Sequence, residues 1–249
     1  MRPTTRAAAF CLLILAPAAD AARADDAPPP GWVDLSKLDA WKGQAKGWST
    51  VGAARLDPAD PRRLATEPGA GIICNAPKGG VPNIVSREDF GDVEVHLEFF
   101  LPKGSNSGIK FQAVYEIQLF DSHGVAAPKG TDSGAVYPRS ELLPKYHHID
   151  GGHPPLVNAA LPAGEWQTLD ATFIAPRFDA DGKKVADARI SATLNGQKVQ
   201  DDLKVDTPTG NNYRMKEKPT GPLLLQADHG PVAFRNLRAR RLDAAKPAP

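Results

Sequence analysis

The segment Tyr115-Glu116-Ile117-Gln118-Leu119-Phe120-Asp121 places an acid, an amide and a second acid at positions 116, 118 and 121. In an extended chain successive side chains point to opposite faces. Glu116 and Gln118 therefore share one face, and Tyr115, Ile117 and Leu119 share the other. Asp121 lies five residues beyond Glu116 and joins its face only if the strand bulges. Two carboxyls about 5–5.5 Å apart are the equipment of a retaining glycosidase. Here the middle residue is glutamine and the second acid is the shorter aspartate, which argues against that mechanism. A solvated polar face is the plainer reading of this strand alone. Other groups can converge on the same face: Lys110 on the preceding alternating run, and Gln226, Asp228 and His229 at the end of a late one. Histidine is the side chain best suited to proton transfer near neutral pH.

The run Tyr146-His147-His148-Ile149-Asp150-Gly151-Gly152-His153 is rich in ligand-type residues. It lacks a regular two-ligand spacing, which counts against a zinc-type site. Trp32, Trp41, Trp48 and Trp166 offer sugar-stacking faces, although core packing is the commoner fate of tryptophan. Cys74 sits in an apolar run and reads as a buried, inert thiol. The chain contains no Gly-rich phosphate loop, Gly-x-Ser-x-Gly elbow, His-Glu-x-x-His or Cys-x-x-Cys motif. Those absences argue against nucleotide use, serine esterase chemistry and zinc protease chemistry.

The elements that must position these groups are strands. Val93, Val95, Leu97 and Phe99 alternate with Glu94, His96 and Glu98; Ile109 and Phe111 with Lys110; Leu169, Ala171 and Phe173 with Asp170 and Thr172; Ile190, Ala192 and Leu194 with Ser191 and Thr193. Such half-buried strands belong to antiparallel sheets with one face on a core. Asn195-Gly196 between two such runs predicts a two-residue type I′ hairpin. A phase slip between Phe234 and Leu237 predicts a bulge at Arg235-Asn236. The charged run Arg235 to Arg241 reads as an exposed edge strand. Of 249 residues, 24 are proline and 22 glycine, an excess that disfavours long helices. With few helical windows, the pattern means a sandwich or barrel. Residues 83–101, 103–127 and 177–207 lack proline and hold the clearest strands. Residues 128–162 are proline-rich and read as a lid beside the cleft.

Residues 1–24 read as a secretory signal peptide. Arg2 and Arg6 precede the apolar run Ala7 to Ala19, and Ala22-Arg23-Ala24 is an A-x-A cleavage site. The run is too short for a membrane span, and no later segment is apolar for long enough. Residues 25–30 form a leader and 243–249 a tail, leaving 31–242 as a single domain. Cleavage removes Arg2, Arg6, Arg23 and Asp20 and leaves 27 basic and 28 acidic residues. No broad basic field then argues for nucleic acid as a partner. The expected localisation is periplasmic or secreted. Cleavage also removes Cys11, so Cys74 has no intramolecular partner.

The chain resembles the 3-keto-disaccharide hydrolase domain family. The resemblance runs in order through Gly31-Trp32-Val33-Asp34-Leu35, Phe90-Gly91-Asp92-Val93-Glu94-Val95, Asn106-Ser107-Gly108-Ile109-Lys110, residues 115–121, Ser133-Gly134-Ala135-Val136-Tyr137, Gly164-Glu165-Trp166-Gln167, Leu194-Asn195-Gly196 and the stretch 221–237. Where the family reads Gln-Asp-His-Gly, this chain reads Gln226-Ala227-Asp228-His229-Gly230, with Ala227 inserted. The resemblance implies an all-β, concanavalin-like jelly-roll sandwich of two antiparallel sheets with few short helices. It also implies cleavage of glycosides oxidised at sugar C3, with a carbohydrate as the partner. A C3 ketone acidifies the C2 proton, and its removal gives an enolate that expels the C1 substituent. That chemistry needs a base, a cation or donor at the ketone oxygen, and an acid at the leaving oxygen. The resemblance makes Glu116 or His229 the base or acid, with Lys110 and Gln118 at the enolate oxygen. Asp121, Gln226 and Asn106 become sugar-binding candidates and Tyr137 a wall or proton donor. A divalent metal held by Glu116, Asp121 and His229 is the alternative electrophile. A non-catalytic lectin-like module and a retaining glycosidase on unoxidised glycans are the competing functions.

Overall fold

The computed structural model describes residues 28–43 and 46–242. The expected signal peptide (1–24), most of the expected leader (25–30) and the expected tail (243–249) lie outside the described residues. The strands, in chain order, are β1 (Val33–Asp34), β2 (Trp41–Lys42), β3 (Ser49–Asp57), β4 (Asp60–Cys74), β5 (Ile84–Phe90), β6 (Val93–Phe100), β7 (Asn106–Phe111), β8 (Tyr115–Phe120), β9 (Ser140–Glu141), β10 (His147–His148), β11 (Trp166–Ile174), β12 (Arg177–Phe178), β13 (Lys184–Ala186), β14 (Ala188–Leu194), β15 (Gln197–Val205), β16 (Gly221–Leu225) and β17 (Ala233–Arg241). One 3₁₀ turn, Leu38–Ala40, is the helical element among the described residues.

Two antiparallel sheets face each other as a jelly-roll sandwich. One has the order β15-β14-β11-β6-β17-β4-β3, with β1 added to β17. The other has the order β2-β5-β16-β7-β8. The alternation seen in the sequence decides which side chains enter the core. Val95, Leu97, Phe99, Leu169, Phe173, Ile190 and Leu194 point inward from the larger sheet, and all are almost fully buried. Ile109, Phe111, Tyr115, Ile117, Leu119, Leu223 and Leu225 meet them from the smaller one. Phe173 ties the layers together. Its ring stacks on Phe111 at 4.9 Å between centroids and tilts against Tyr115 at 5.2 Å. Because Phe111 and Tyr115 close the β7–β8 hairpin, this contact seats the two strands whose opposite faces carry Lys110 and Glu116.

Turn chemistry follows the sequence. Asn195 and Gly196 join β14 to β15 with φ of 49° and 78°, the left-handed pair that a type I′ turn requires. Asn236, with φ of 51°, marks the bulge in β17, where the register against β6 shifts between Arg235 and Arg238.

The edge assignment of Arg235 to Arg241 is corrected by the structure. Strand β17 is interior, with β6 on one side and β4 then β1 on the other. Its arginines alternate because one face looks outward, and there they find acids on neighbouring strands. Arg235 Nε meets Glu98 Oε2 at 2.6 Å and Arg240 pairs with Glu94, both on the adjacent β6, while Arg241 at the strand end reaches Glu88 Oε2 on β5 of the other sheet at 2.7 Å. Interior position and outward charge coexist because cross-strand pairs satisfy the charge.

The tryptophans serve packing. Trp41 and Trp48 are buried and donate to the carbonyls of Leu35 and Pro82. Trp166 packs on Phe100 beneath Arg235, and Trp32 lies under Arg238 and Arg240. Cys74 is a buried free thiol.

Phe173→Ala removes the ring shared by Phe111 and Tyr115. It is expected to lower unfolding free energy by about 3–5 kcal/mol, measured by denaturant titration.

Candidate active site

The outward face of the five-stranded sheet is polar where β7, β8 and β16 run side by side. Register places Lys110 opposite both Glu116 and Leu224, and Gly108 opposite Gln118. Lys110 Nζ meets Glu116 Oε2 at 2.9 Å, and the two side chains are only 11% and 3% exposed. Glycine at 108 is what admits the carboxylate. A Cβ there would lie 2.5 Å from Glu116 Oε1, so any larger residue would push the acid off its lysine. Burial raises the Glu116 pKa above the usual carboxylate range, while Lys110 and, more weakly, His229 act to lower it.

The loop after β8 completes the strand edge. Gln118 N–H donates to Ala135 O at 2.9 Å, Gly134 N–H to Gln118 O at 2.8 Å, and Tyr137 N–H to Glu116 O at 3.1 Å. This added pairing carries Tyr137 to the cleft beside Glu116. Its hydroxyl lies 3.0 Å from that of Tyr146 and 3.2 Å from His148 Nε2. Burial, then Tyr146 and Glu116, hold the Tyr137 phenol well above its ordinary pKa, so it remains a proton carrier throughout the neutral range. Glu116 N–H is also held, donating to Thr209 Oγ1 at 3.0 Å.

These groups line a cleft of about 570 Å³ that also takes in Asn106, Gln118, Gln226, Asp228 and His229. Gln118 Nε2 donates to Asn106 Oδ1 at 3.2 Å. The Oε1 atoms of Gln118 and Gln226 are buried and accept no hydrogen bond from the protein. His229 stands on the rim, with Nδ1 2.7 Å from Asp228 Oδ1. A proton on Nδ1 serves that carboxylate and leaves Nε2 as the working nitrogen. The 3.4 Å approach of Gln226 Nε2 to the same Nδ1 is then proximity between two donors. The inserted Ala227 is absorbed in the wall: it is buried, its N–H donates to Asn83 Oδ1 at 2.8 Å, and its carbonyl accepts from Gly80 N–H and Asn75 Nδ2. Gln226 and His229 both still reach the cleft.

Asp121 does not join them. Strand β8 ends at Phe120 with no register shift against β7, and the Asp121 carboxylate turns back to accept Gly104 N–H at 2.8 Å. The Glu116–Asp121 pair of a retaining glycosidase is therefore not assembled. The Glu116, Asp121 and His229 metal set is not assembled either. No group of three or more His, Cys, Asp or Glu side chains converges as a metal cage among the described residues. The histidine-rich run instead forms the β9–β10 hairpin, where Tyr146 hydrogen-bonds His148 at 2.9 Å.

The cleft also contains residues not singled out in the sequence. Gln112 shares the sequence parity of Gly108 and Lys110, but β7 ends at Phe111 and Gln112 reaches the cleft from the turn, with φ of 51°. Asn83, Asn211, Asn212 and Met215 arrive on loops, where no periodicity announces them.

The β-sandwich, with a buried Lys110–Glu116 pair in a polar cleft on one sheet, is that of a carbohydrate-active, glycosyl hydrolase- or lyase-like protein, as the comparisons show. The chain belongs to the 3-keto-alpha-glucoside-1,2-lyase-like domain family, whose family model matches residues 31–240. A Parabacteroides distasonis protein provisionally called a glycosyl hydrolase has a similar solved structure. It is 26% identical, with a TM-score of 0.62 over 86% of this chain and 85% of that one. A second protein of that organism, with the same provisional name, shares the fold at 18% identity, with a TM-score of 0.53 over 85% of this chain and 99% of that one. No curated protein matches the chain.

Lys110→Met leaves Glu116 buried without its counter-ion, a change expected to cost about 3 kcal/mol at neutral pH. A carboxyl whose pKa is raised by folding favours the folded state when protonated. The variant should therefore lose stability as pH rises from about 4 toward neutrality. Adding Glu116→Gln should remove that dependence. Denaturant titrations across pH check both outcomes.

Proposed function

We propose that the protein cleaves glycosides carrying a ketone at sugar C3, by C2 deprotonation and elimination, with water addition giving net hydrolysis. The observation that carries this reading is the buried Lys110–Glu116 pair at 2.9 Å inside a polar cleft. Glu116 takes the C2 proton, and its raised pKa makes it a stronger base than an exposed glutamate. As Glu116 becomes neutral, its hold on Lys110 weakens, and the ammonium turns to the enolate oxygen formed from the C3 ketone. The enolate electrons re-form the ketone, a C1–C2 double bond appears, and the C1–O bond breaks. The departing oxygen takes a proton from His229, whose ring Asp228 orients through Nδ1. Water adding to C1, with a proton returning to C2, converts the unsaturated ketone to the free 3-keto sugar. Tyr137, protonated and beside Glu116, is the second donor within the cleft. Gln118, Gln226 and Asn106 bind sugar hydroxyls.

This reading uses one carboxylate as base, and so does not require the missing Asp121. A lectin-like module would need hydrogen-bonding groups but no buried ion pair, whose desolvation is costly. Incubation with a 3-keto-glucoside followed by mass spectrometry separates the two, since a lectin leaves the substrate intact. Glu116→Gln is expected to lower kcat/KM by about 10³-fold and His229→Ala by about 10²-fold. Full activity in both variants overturns the assignment. The base must be ionised, so wild-type kcat/KM should fall on acidification with a midpoint above the ordinary glutamate value of about 4.3.

Export to the periplasm or beyond belongs to the same proposal. The basic start, the apolar run and the Ala22-Arg23-Ala24 site support it. The mature protein isolated from its host should begin at Asp25 by intact mass.

A further inference from the structure

We infer that one end of the cleft is an aglycone site for a hydroxylated aromatic ring, making 3-keto-glucosides of phenols its preferred substrates over 3-keto-disaccharides. The inference rests on the 3-keto reading above and adds the leaving group. Along β7, Asn106, Gly108 and Lys110 follow one another on one face at roughly 7 Å per pair, and Gln112 comes after them in the turn to β8, with φ of 51°. The Lys110–Glu116 pair lies between two unlike ends. Toward Asn106 the cleft presents Gln118 and Gln226, each with a buried, unused amide oxygen. That end suits the hydroxyls of the oxidised sugar.

Toward Gln112 the walls add apolar side chains. Leu142, Tyr146 and Met215 line the cleft, beside Asn211 and Asn212, while remaining 57%, 49% and 55% exposed. Exposed aliphatic and aromatic side chains in a cleft gain most by covering an apolar ligand. A second hexose would set hydroxyls against Leu142 and Met215, whereas a flat ring buries its faces on them and leaves its edge to the asparagines. The two walls are pre-set. Glu141, next to Leu142, accepts from Tyr213 Oη and Arg214 Nη2, each at 2.6 Å, and Met215 follows Arg214 directly.

Gln112 supplies the polar reading. Its side chain is 8% exposed, and neither amide atom has a hydrogen-bond partner within the protein. A buried amide left in this state costs free energy that a ligand hydroxyl, both donor and acceptor, can recover. A ring hydroxyl thus meets both unmet atoms.

The test compares kcat/KM for the 3-keto-glucosides of 4-hydroxyphenol and phenol with that for a 3-keto-disaccharide, in both anomeric forms. Intrinsic leaving-group reactivity cancels when each variant is divided by wild type. Leu142→Ser and Met215→Ser, at exposed positions, should each lower the aryl-to-disaccharide ratio about tenfold. Gln112→Leu should abolish the preference for 4-hydroxyphenyl over phenyl. Ratios unchanged in all three variants overturn the aglycone site while leaving the 3-keto reading intact. Wild-type protein that turns over none of the substrates overturns the 3-keto reading itself.

Discussion

Removing an ammonium and a carboxylate from water costs several kcal/mol per ion unless they meet in good geometry. Lys110 and Glu116 meet at 2.9 Å, and much of the surrounding structure serves that encounter. The β7–β8 register sets them opposite each other. Gly108 leaves the volume that the carboxylate occupies. Thr209 and Tyr137 hold the backbone of Glu116 at both its N–H and its carbonyl. Beneath them, Phe173 packs against the hairpin ends from the opposite sheet. The pair is thus a buried polar insert in a rigid surface, open to the cleft on one side.

The two sheets use their outward faces differently. On the larger sheet, Arg235 and Arg240 of β17 pair with Glu98 and Glu94 of β6 and settle their charges within the protein. On the smaller sheet, amide oxygens of Gln118 and Gln226 and both amide atoms of Gln112 are left unmatched. Unmatched buried polar atoms are uncommon in native proteins. Among the described residues, the unmatched atoms on the larger sheet are the Nε of Arg63 and of Arg238, whereas on the smaller sheet four unmatched amide atoms gather in one cleft.

The loops between β8 and β11 make the cleft deep. They extend the sheet edge through Gly134 to Tyr137 and then rise as the β9–β10 hairpin, which Glu141 clamps to the loop carrying Tyr213. Their prolines fix φ where no continuous ladder could, and Gly124, Gly134 and Gly152 take the positive-φ positions of the turns. The composition that disfavours helices is therefore also the one that shapes a stable wall.

The strands were legible because burial of one face imposes a period of two on any sheet strand. Leu97, Ile117, Phe173 and Leu194 were identifiable as core from that alternation. So was the polar face bearing Lys110, Glu116 and Gln118. Local turn chemistry located the Asn195-Gly196 hairpin, because φ preference is a property of a few adjacent residues, and the slip in apolar phase between Phe234 and Leu237 located the bulge at Arg235-Asn236. Alternation says nothing about neighbours across the sheet. It could not show that the Arg235 to Arg241 strand is interior, because an outward face looks the same on edge and central strands. Nor could it show that Asp121 turns to Gly104 and leaves the cleft, or that Asn211, Asn212 and Met215 enter it. Sequence by itself determined which side chains face water and which face the core, since that depends on local spacing. Tertiary structure decided which of those water-facing groups meet, because contacts between residues a hundred positions apart are set by strand order and loop path.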